Sequence, residues 1–159
     1  MNEDVVIRQF APEDAAACAR IMAGNSLWQR YGVSEAAALK RFSGADPAKD
    51  IIFIAEEAGK VIGFCWFIER GAFNRAGYIQ LIGIDPARQG NGVGRALLSA
   101  AEELSFAAGR EMFLTVSDFN HSAQNFYRRM GYEQVGALPG FVLSDVTELI
   151  YRKRVPEHE

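Results

Sequence analysis

The residues with the plainest chemical potential form one turn, Arg88-Gln89-Gly90-Asn91-Gly92-Val93-Gly94-Arg95. Three alternating glycines let a backbone take positive φ and come close to a ligand. A helix pattern follows, and the first N–H groups of a helix have no partners of their own and carry partial positive charge. Together these make a site for a phosphate or pyrophosphate. Arg88 and Arg95 flank it with formal charge. The P-loop reading fails because no Lys follows the glycines at the required place. The dinucleotide reading fits poorly, because the spacing is Gly-x-Gly-x-Gly and the turn comes late in the chain.

The elements around the turn must hold it rigid. Tyr78-Ile79-Gln80-Leu81-Ile82-Gly83-Ile84 is apolar on both faces, which predicts a central strand ended by Asp85-Pro86. After the turn, Val93, Leu97, Ala101, Leu104 and Ala108 step by three and four, which predicts a helix with that stripe buried and Gly109 at its end. Upstream, Val5 to Phe10 reads as a strand and Pro12 to Met22 as a helix, with acidic residues in its first turn. Ser34 caps a predicted helix to Phe42. Ile51–Glu56 and Val61–Glu69, joined at Ala58-Gly59, read as a hairpin. Downstream come a strand from Glu111 to Val116, a short helix from Ser122 to Met130, and two strands at Phe141–Leu143 and Glu148–Arg152. The order predicts an α+β fold, a mixed β-sheet of six to seven strands flanked by helices. One domain is expected over residues 1–155, with 156–159 a frayed tail.

Composition narrows the class. The chain has 159 residues and a formal net charge of −3, the profile of a single globular domain and not of a nucleic-acid binder. Cys18 and Cys65 are far apart and read as reduced, buried thiols, and no metal-ligand spacing occurs. No apolar run reaches the ~18 residues of a membrane span, and Met1 to Asp4 lacks the basic start of a signal peptide, so a cytoplasmic protein without nucleic-acid or membrane partners is expected.

Two stretches carry a family resemblance. Ile82 to Leu98 resembles the acetyl-CoA motif of the GNAT-type N-acetyltransferases, whose Gln/Arg-x-x-Gly-x-Gly/Ala core is matched by Gln89, Gly92 and Gly94. Asn120 to Tyr132 resembles the family's Asn-x-x-Ala-x-x-x-Tyr-x-x-x-Gly-Phe, with Tyr132 in the place of the Phe. The resemblance implies acetyl-CoA as co-substrate and no metal. It implies that Gln89, Gly90, Asn91, Gly92, Val93, Gly94 and Arg95 cradle the pyrophosphate. Ile82, Gly83 and Ile84 would hold the pantetheine through their backbone, and Asn120 would touch the cofactor. Tyr127 would lie at the sulfur as general acid, a role a phenol protonated at neutral pH can fill.

The resemblance weakens at the base. Relatives carry a Glu where this chain has Gln80, or on the next strand near Thr115. Neither residue takes a proton at neutral pH, which leaves Asp118, Asp145, Glu148, His121 or a water chain. The acceptor pocket falls between residues 25–45 and the last two strands, where Trp28, Tyr31, Phe141 and Asp145 are candidates for a wall suited to a small cationic amine. The expected reaction is acetyl transfer to a primary amine of a small molecule by direct attack in a ternary complex. The missing Glu also admits a non-catalytic CoA-binding module, and the turn alone admits an ADP or NAD site. A homodimer is compatible with the resemblance, and no residue demands one.

Overall fold

The computed structural model describes residues 4–157. One seven-stranded sheet runs β1-β2-β3-β4-β5-β7-β6. The strands are β1 (Val5–Gln9), β2 (Asp50–Glu57), β3 (Lys60–Ala72), β4 (Ala76–Ile84), β5 (Met112–Ser117), β6 (Glu133–Pro139) and β7 (Thr147–Lys153). The helices are α1 (Ala15–Ala23), α2 (Ser26–Arg30), α3 (Glu35–Ser43), α4 (Val93–Ala107) and α5 (His121–Arg129). The glycine turn thus leaves the central strand β4, as the sequence predicts. The β2–β3 hairpin turns through Ala58 and Gly59 at φ of 49° and 76°, the left-handed pair that matches the twist of its strands.

Each face of the sheet has its own core. Leu97, Leu98, Met112, Leu114 and Tyr151 are buried under α4 and α5. Met22, Phe42, Phe64 and Trp66 are buried under α1 and α3. Cys18 and Cys65 are free and fully buried. Burial pushes the Cys18 thiol up to about 12 and the Cys65 thiol up further still.

Pairing changes direction at the centre. All neighbouring strands are antiparallel except β4 and β5, which are parallel and hold register only from Gly77↔Met112 to Ile79↔Leu114. Beyond Ile79 the two strands part. The β5-facing edge of residues 80–84 then has no strand beside it, a gap in mid-sheet that needs another partner for its backbone groups.

Three expectations need correction. The penultimate strand is Glu133–Pro139 and not Phe141–Leu143. That strand lies at the sheet edge with mostly exposed side chains, so its sequence, Glu-Gln-Val-Gly-Ala-Leu-Pro, shows no regular apolar–polar alternation. Phe141 and Val142, 68% and 59% exposed, are instead in the loop before β7. The buried stripe of α4 is also rotated. Val93, Leu97 and Ala101 are buried as expected, but Leu104 is exposed, and Leu98, Glu102 and Ser105 are buried. Both polar side chains are satisfied, which makes their burial affordable. The Ser105 hydroxyl donates to the carbonyls of Arg110 and Glu111, and Glu102 accepts from the Tyr132 hydroxyl at 3.1 Å and Lys153 Nζ at 2.9 Å. Finally, Asp14 does more than favour a helix end. It is buried, accepts a two-pronged bond from Arg8 at 2.8 and 2.9 Å, and accepts from the Ala11 N–H. Arg8 holds the Asp14 carboxyl below its ordinary range.

Candidate active site

The turn after β4 has the shape its glycines suggest. Gly90 and Gly92 take φ of 83° and 79°, and Gly92 is the residue immediately before α4. A side chain at either would be strained in this conformation. An open concavity of about 510 Å³ lies against the turn, lined by Val5, Glu57, Ile62, Arg88 and residues 90–93. Arg88 pairs with Glu57 at 2.5 Å. The free N–H groups at the start of α4 and the dipole behind them point positive charge at this space.

A second cavity, of about 360 Å³, occupies the gap between β4 and β5. Gln80, Leu81 and Ile82 line one side of it and Leu114 to Ser117 the other. Tyr127 reaches it from α5, and Trp28 and Tyr31 reach it from the region of α2. Tyr127 belongs to the core under α4 and α5, while Trp28 belongs to the core under α1 and α3. The cavity is therefore lined from both faces of the sheet.

Tyr127 is set by its neighbours. Its ring lies 5.3 Å from Phe126, 5.9 Å from Tyr132 and 6.4 Å from Tyr151, centre to centre. It is 6% exposed. Burial, with a smaller contribution from Cys65, pushes its hydroxyl well above the ordinary phenol range. It is a neutral O–H at any physiological pH and a donor to whatever anion forms beside it. Asn120 lines the same cavity and also caps α5, its side chain accepting from the Ala123 N–H at 3.3 Å. Gly83 packs its bare Cα against the other core, where a Cβ would come within 2.6 Å of Phe64 and 2.9 Å of Trp28.

The candidate bases separate clearly. Gln80 and Thr115 line the cavity and supply no base. His121 and Asp145 are exposed and do not line it. The Asp118 carboxylate accepts from the Thr147 N–H at 3.2 Å and holds the entry to β7. Glu148 alone among the candidates combines burial with a place on the cavity wall: it is 6% exposed. Its Oε1 accepts from the Tyr31 hydroxyl, which lies 2.6 Å from Ser117 Oγ. Ser117 and Glu148 face each other across β5 and β7. Burial, and next the bond to Glu148, push the Tyr31 hydroxyl up to about 12. The expected wall residues Trp28, Tyr31 and Phe141 are all present. Asp145 is not, and Glu148 takes the carboxylate's place. Pairing of distant segments makes this cluster, so no spacing in the sequence announces it.

The acetyltransferase (GNAT) family profile matches residues 15–132, which include both the turn and Tyr127. The chain belongs to the GNAT acetyltransferase family. Members of this family are acetyl-CoA-dependent N-acetyltransferases. Among relatives, mycothiol acetyltransferase of Amycolatopsis mediterranei is 33% identical over 144 residues, 83% of this chain and 47% of its own length. The N-alpha-acetyltransferase RimI of Mycobacterium tuberculosis is 37% identical over 83 residues, 52% of this chain and 51% of its own. The GNAT chain described here thus spans about half the length of these curated relatives. The yncA structure from Salmonella typhimurium, solved with acetyl-CoA as its cofactor, superposes with a TM-score of 0.77 at 20% identity, covering 98% of this chain and 96% of that one. Among the described residues no group of three or more His, Cys, Asp or Glu side chains is placed to hold a metal ion, and no helix is long and apolar enough to cross a membrane.

Proposed function

We propose that this chain transfers the acetyl group of acetyl-CoA to a primary amine of a small molecule, by direct attack in a ternary complex. The observation that carries the reading is the gap between β4 and β5, which joins the two faces of the sheet beside Tyr127. The pyrophosphate rests on the N–H groups of residues 89–95, where glycine allows close approach. The pantetheine follows the open edge of β4 through Ile82, Gly83 and Ile84, which pair with β3 on one side and have no strand on the side facing β5, and Asn120 borders its path. The thioester then lies in the gap at Tyr127.

The chemistry follows from that placement. The amine enters from the face of Trp28 and Tyr31 and attacks the thioester carbon. A backbone N–H at the edge of β4 stabilises the oxyanion, an arrangement that needs no reorganisation during reaction. The C–S bond breaks, and the Tyr127 hydroxyl gives its proton to the departing thiolate. A small acceptor is favoured because the cavity is only about 360 Å³ and is bordered by side chains from α2 and the loop before β7. With Glu148 in the cavity wall, the absence of Glu at positions 80 and 115 no longer argues for a binding module without turnover.

Two measurements test the reading. Acetyl-CoA raises the melting temperature, as any ligand specific to the folded state must, and free ADP or NAD does not displace it. A panel of small amines then releases CoA thiol, while peptides with free N-termini do not. Failure of every small amine, with acetyl-CoA still bound, defeats the enzymatic reading. Turnover of peptides alone defeats the small-molecule one.

A further inference from the structure

Glu148 has features that a purely structural carboxylate would lack. It is 94% buried by the complement of its 6% exposure, yet no described Lys, Arg or His forms an ion pair with it. Burying a carboxylate without a cation costs free energy, and such groups are ordinarily paired. Its hydrogen bonds among the described residues reach Oε1 only. The polarity of that contact is fixed by counting protons. Tyr31 has one hydroxyl proton and gives it to Glu148, so Ser117 must be the donor to Tyr31. Ser117 to Tyr31 to Glu148 is a one-way chain that leaves the carboxylate as an acceptor, with no hydrogen bond from a described residue on Oε2.

Gln80, Thr115 and Asn120 also line the cavity, but the side chains around its α2 and Phe141 end are mostly apolar. Met22, Leu27, Trp28, Val33, Phe141 and Val142 all line the cavity. Phe141 and Val142 are exposed aromatic and aliphatic surface at its mouth. Arg41 is the one cation among the lining residues, and it stands exposed. A ligand complementary to this surface has an apolar, ring-sized body and a single cationic end that reaches Glu148.

We propose that Glu148 is the acceptor-binding and proton-accepting carboxylate, and that the acceptor is a primary ammonium on an apolar, aromatic body. The proposal rests on the acetyltransferase reading above and adds the substrate class and the base. The ammonium docks on Oε2 and supplies the cation that no described side chain gives Glu148. It then gives one proton to Glu148, and the freed nitrogen lone pair attacks the thioester as the new C–N bond forms and the C–S bond breaks. Of the three ammonium protons, one stays on the amide nitrogen. One passes through Glu148 to solvent. One replaces the proton that Tyr127 hands to the thiolate. Tyr31 is a positioning residue, holding Oε1 so that Oε2 faces the acceptor.

The test uses 2-phenylethylamine and its neutral isostere 2-phenylethanol as probes, with wild type and Glu148→Gln. Calorimetry on the wild-type CoA complex is expected to show the amine binding roughly 10- to 100-fold tighter than the alcohol, the worth of a hydrogen bond to a charged group. In Glu148→Gln that preference falls to near unity, while acetyl-CoA affinity and melting temperature hold or rise. Turnover of the amine falls about 10²- to 10⁴-fold, the usual contribution of a positioned base. Equal wild-type affinity for amine and alcohol overturns the proposal. So does a Glu148→Gln protein that keeps wild-type turnover, or one that loses stability and acetyl-CoA binding together, since that marks a structural carboxylate. If wild type turns over other amines but not this one, the aromatic class is wrong. If it turns over none, the transferase reading fails, and the binding preference still decides the role of Glu148.

Discussion

The two sides of the gap between β4 and β5 are built on different principles. In the proposed function the cofactor side uses backbone: a glycine turn, the N–H groups that start α4, and the open edge of β4. The side proposed for the acceptor uses side chains: Trp28 and Tyr31 from the region of α2, Ser117 from β5, Glu148 from β7 and Phe141 from a loop. Backbone recognition needs one contiguous segment with glycine at fixed places, and it fits a ligand common to many relatives. Side-chain recognition draws on segments more than a hundred residues apart, and single substitutions can retune it without touching the cofactor.

Substitutions can break this comparison or sharpen it. The largest effect is expected from Tyr127→Phe, which removes the proton donor and keeps the ring: turnover falls about 10²- to 10⁴-fold. Acetyl-CoA affinity by calorimetry stays within about twofold of wild type. Gly83→Ala probes where the two sides touch. Its Cβ would lie 2.6 Å from Phe64 and 2.9 Å from Trp28, an overpacking of about 1–3 kcal/mol. The melting temperature falls, and the acceptor KM rises more than the acetyl-CoA dissociation constant, because Trp28, one of the two displaced rings, lines the cavity. Gly92→Val forces a branched residue into left-handed backbone at a cost of about 1–2 kcal/mol. Acetyl-CoA binding weakens about tenfold while acceptor binding holds. A loss confined to the acceptor would contradict the division.

The smallest effect lies away from both sides. Arg8 holds the Asp14 carboxyl below its ordinary range, so this pair contributes stability that is complete above the ordinary Asp pKa of about 3.9 and is lost as pH falls through the folded value. Asp14→Asn therefore costs about 1 kcal/mol at pH 7. Urea titrations across pH should show that difference closing below about pH 4. Acetyl-CoA affinity is unchanged.

Legibility in the sequence follows the same division. The glycine turn, the central strand and Tyr127 were readable because each is local: a spacing, an apolar run, a motif position. The β2–β3 hairpin followed from the same signals, whereas the spatial order of the strands, with β7 between β5 and β6, did not. The edge strand Glu133–Pro139 was not readable, because an edge strand with exposed faces has no alternation to display. Phe141 and Val142 imitated a strand because apolar residues at a cavity mouth look like core in one dimension. The buried face of α4 was misplaced because Glu102 and Ser105 are buried through partners, and an apolar count passes over polar residues. Glu148 was one of several candidates until β5 and β7 paired and set it opposite Ser117.

The central claim is that acetyl-CoA runs from the glycine turn to Tyr127 through the gap between β4 and β5. A crystal structure with bound acetyl-CoA tests it most directly. The account predicts the pyrophosphate on the backbone N–H groups of residues 89–95, the pantetheine along the edge of β4 at Ile82 to Ile84, and the sulfur within hydrogen-bonding reach of the Tyr127 hydroxyl. A cofactor bound outside the gap, or a sulfur remote from Tyr127, would contradict it.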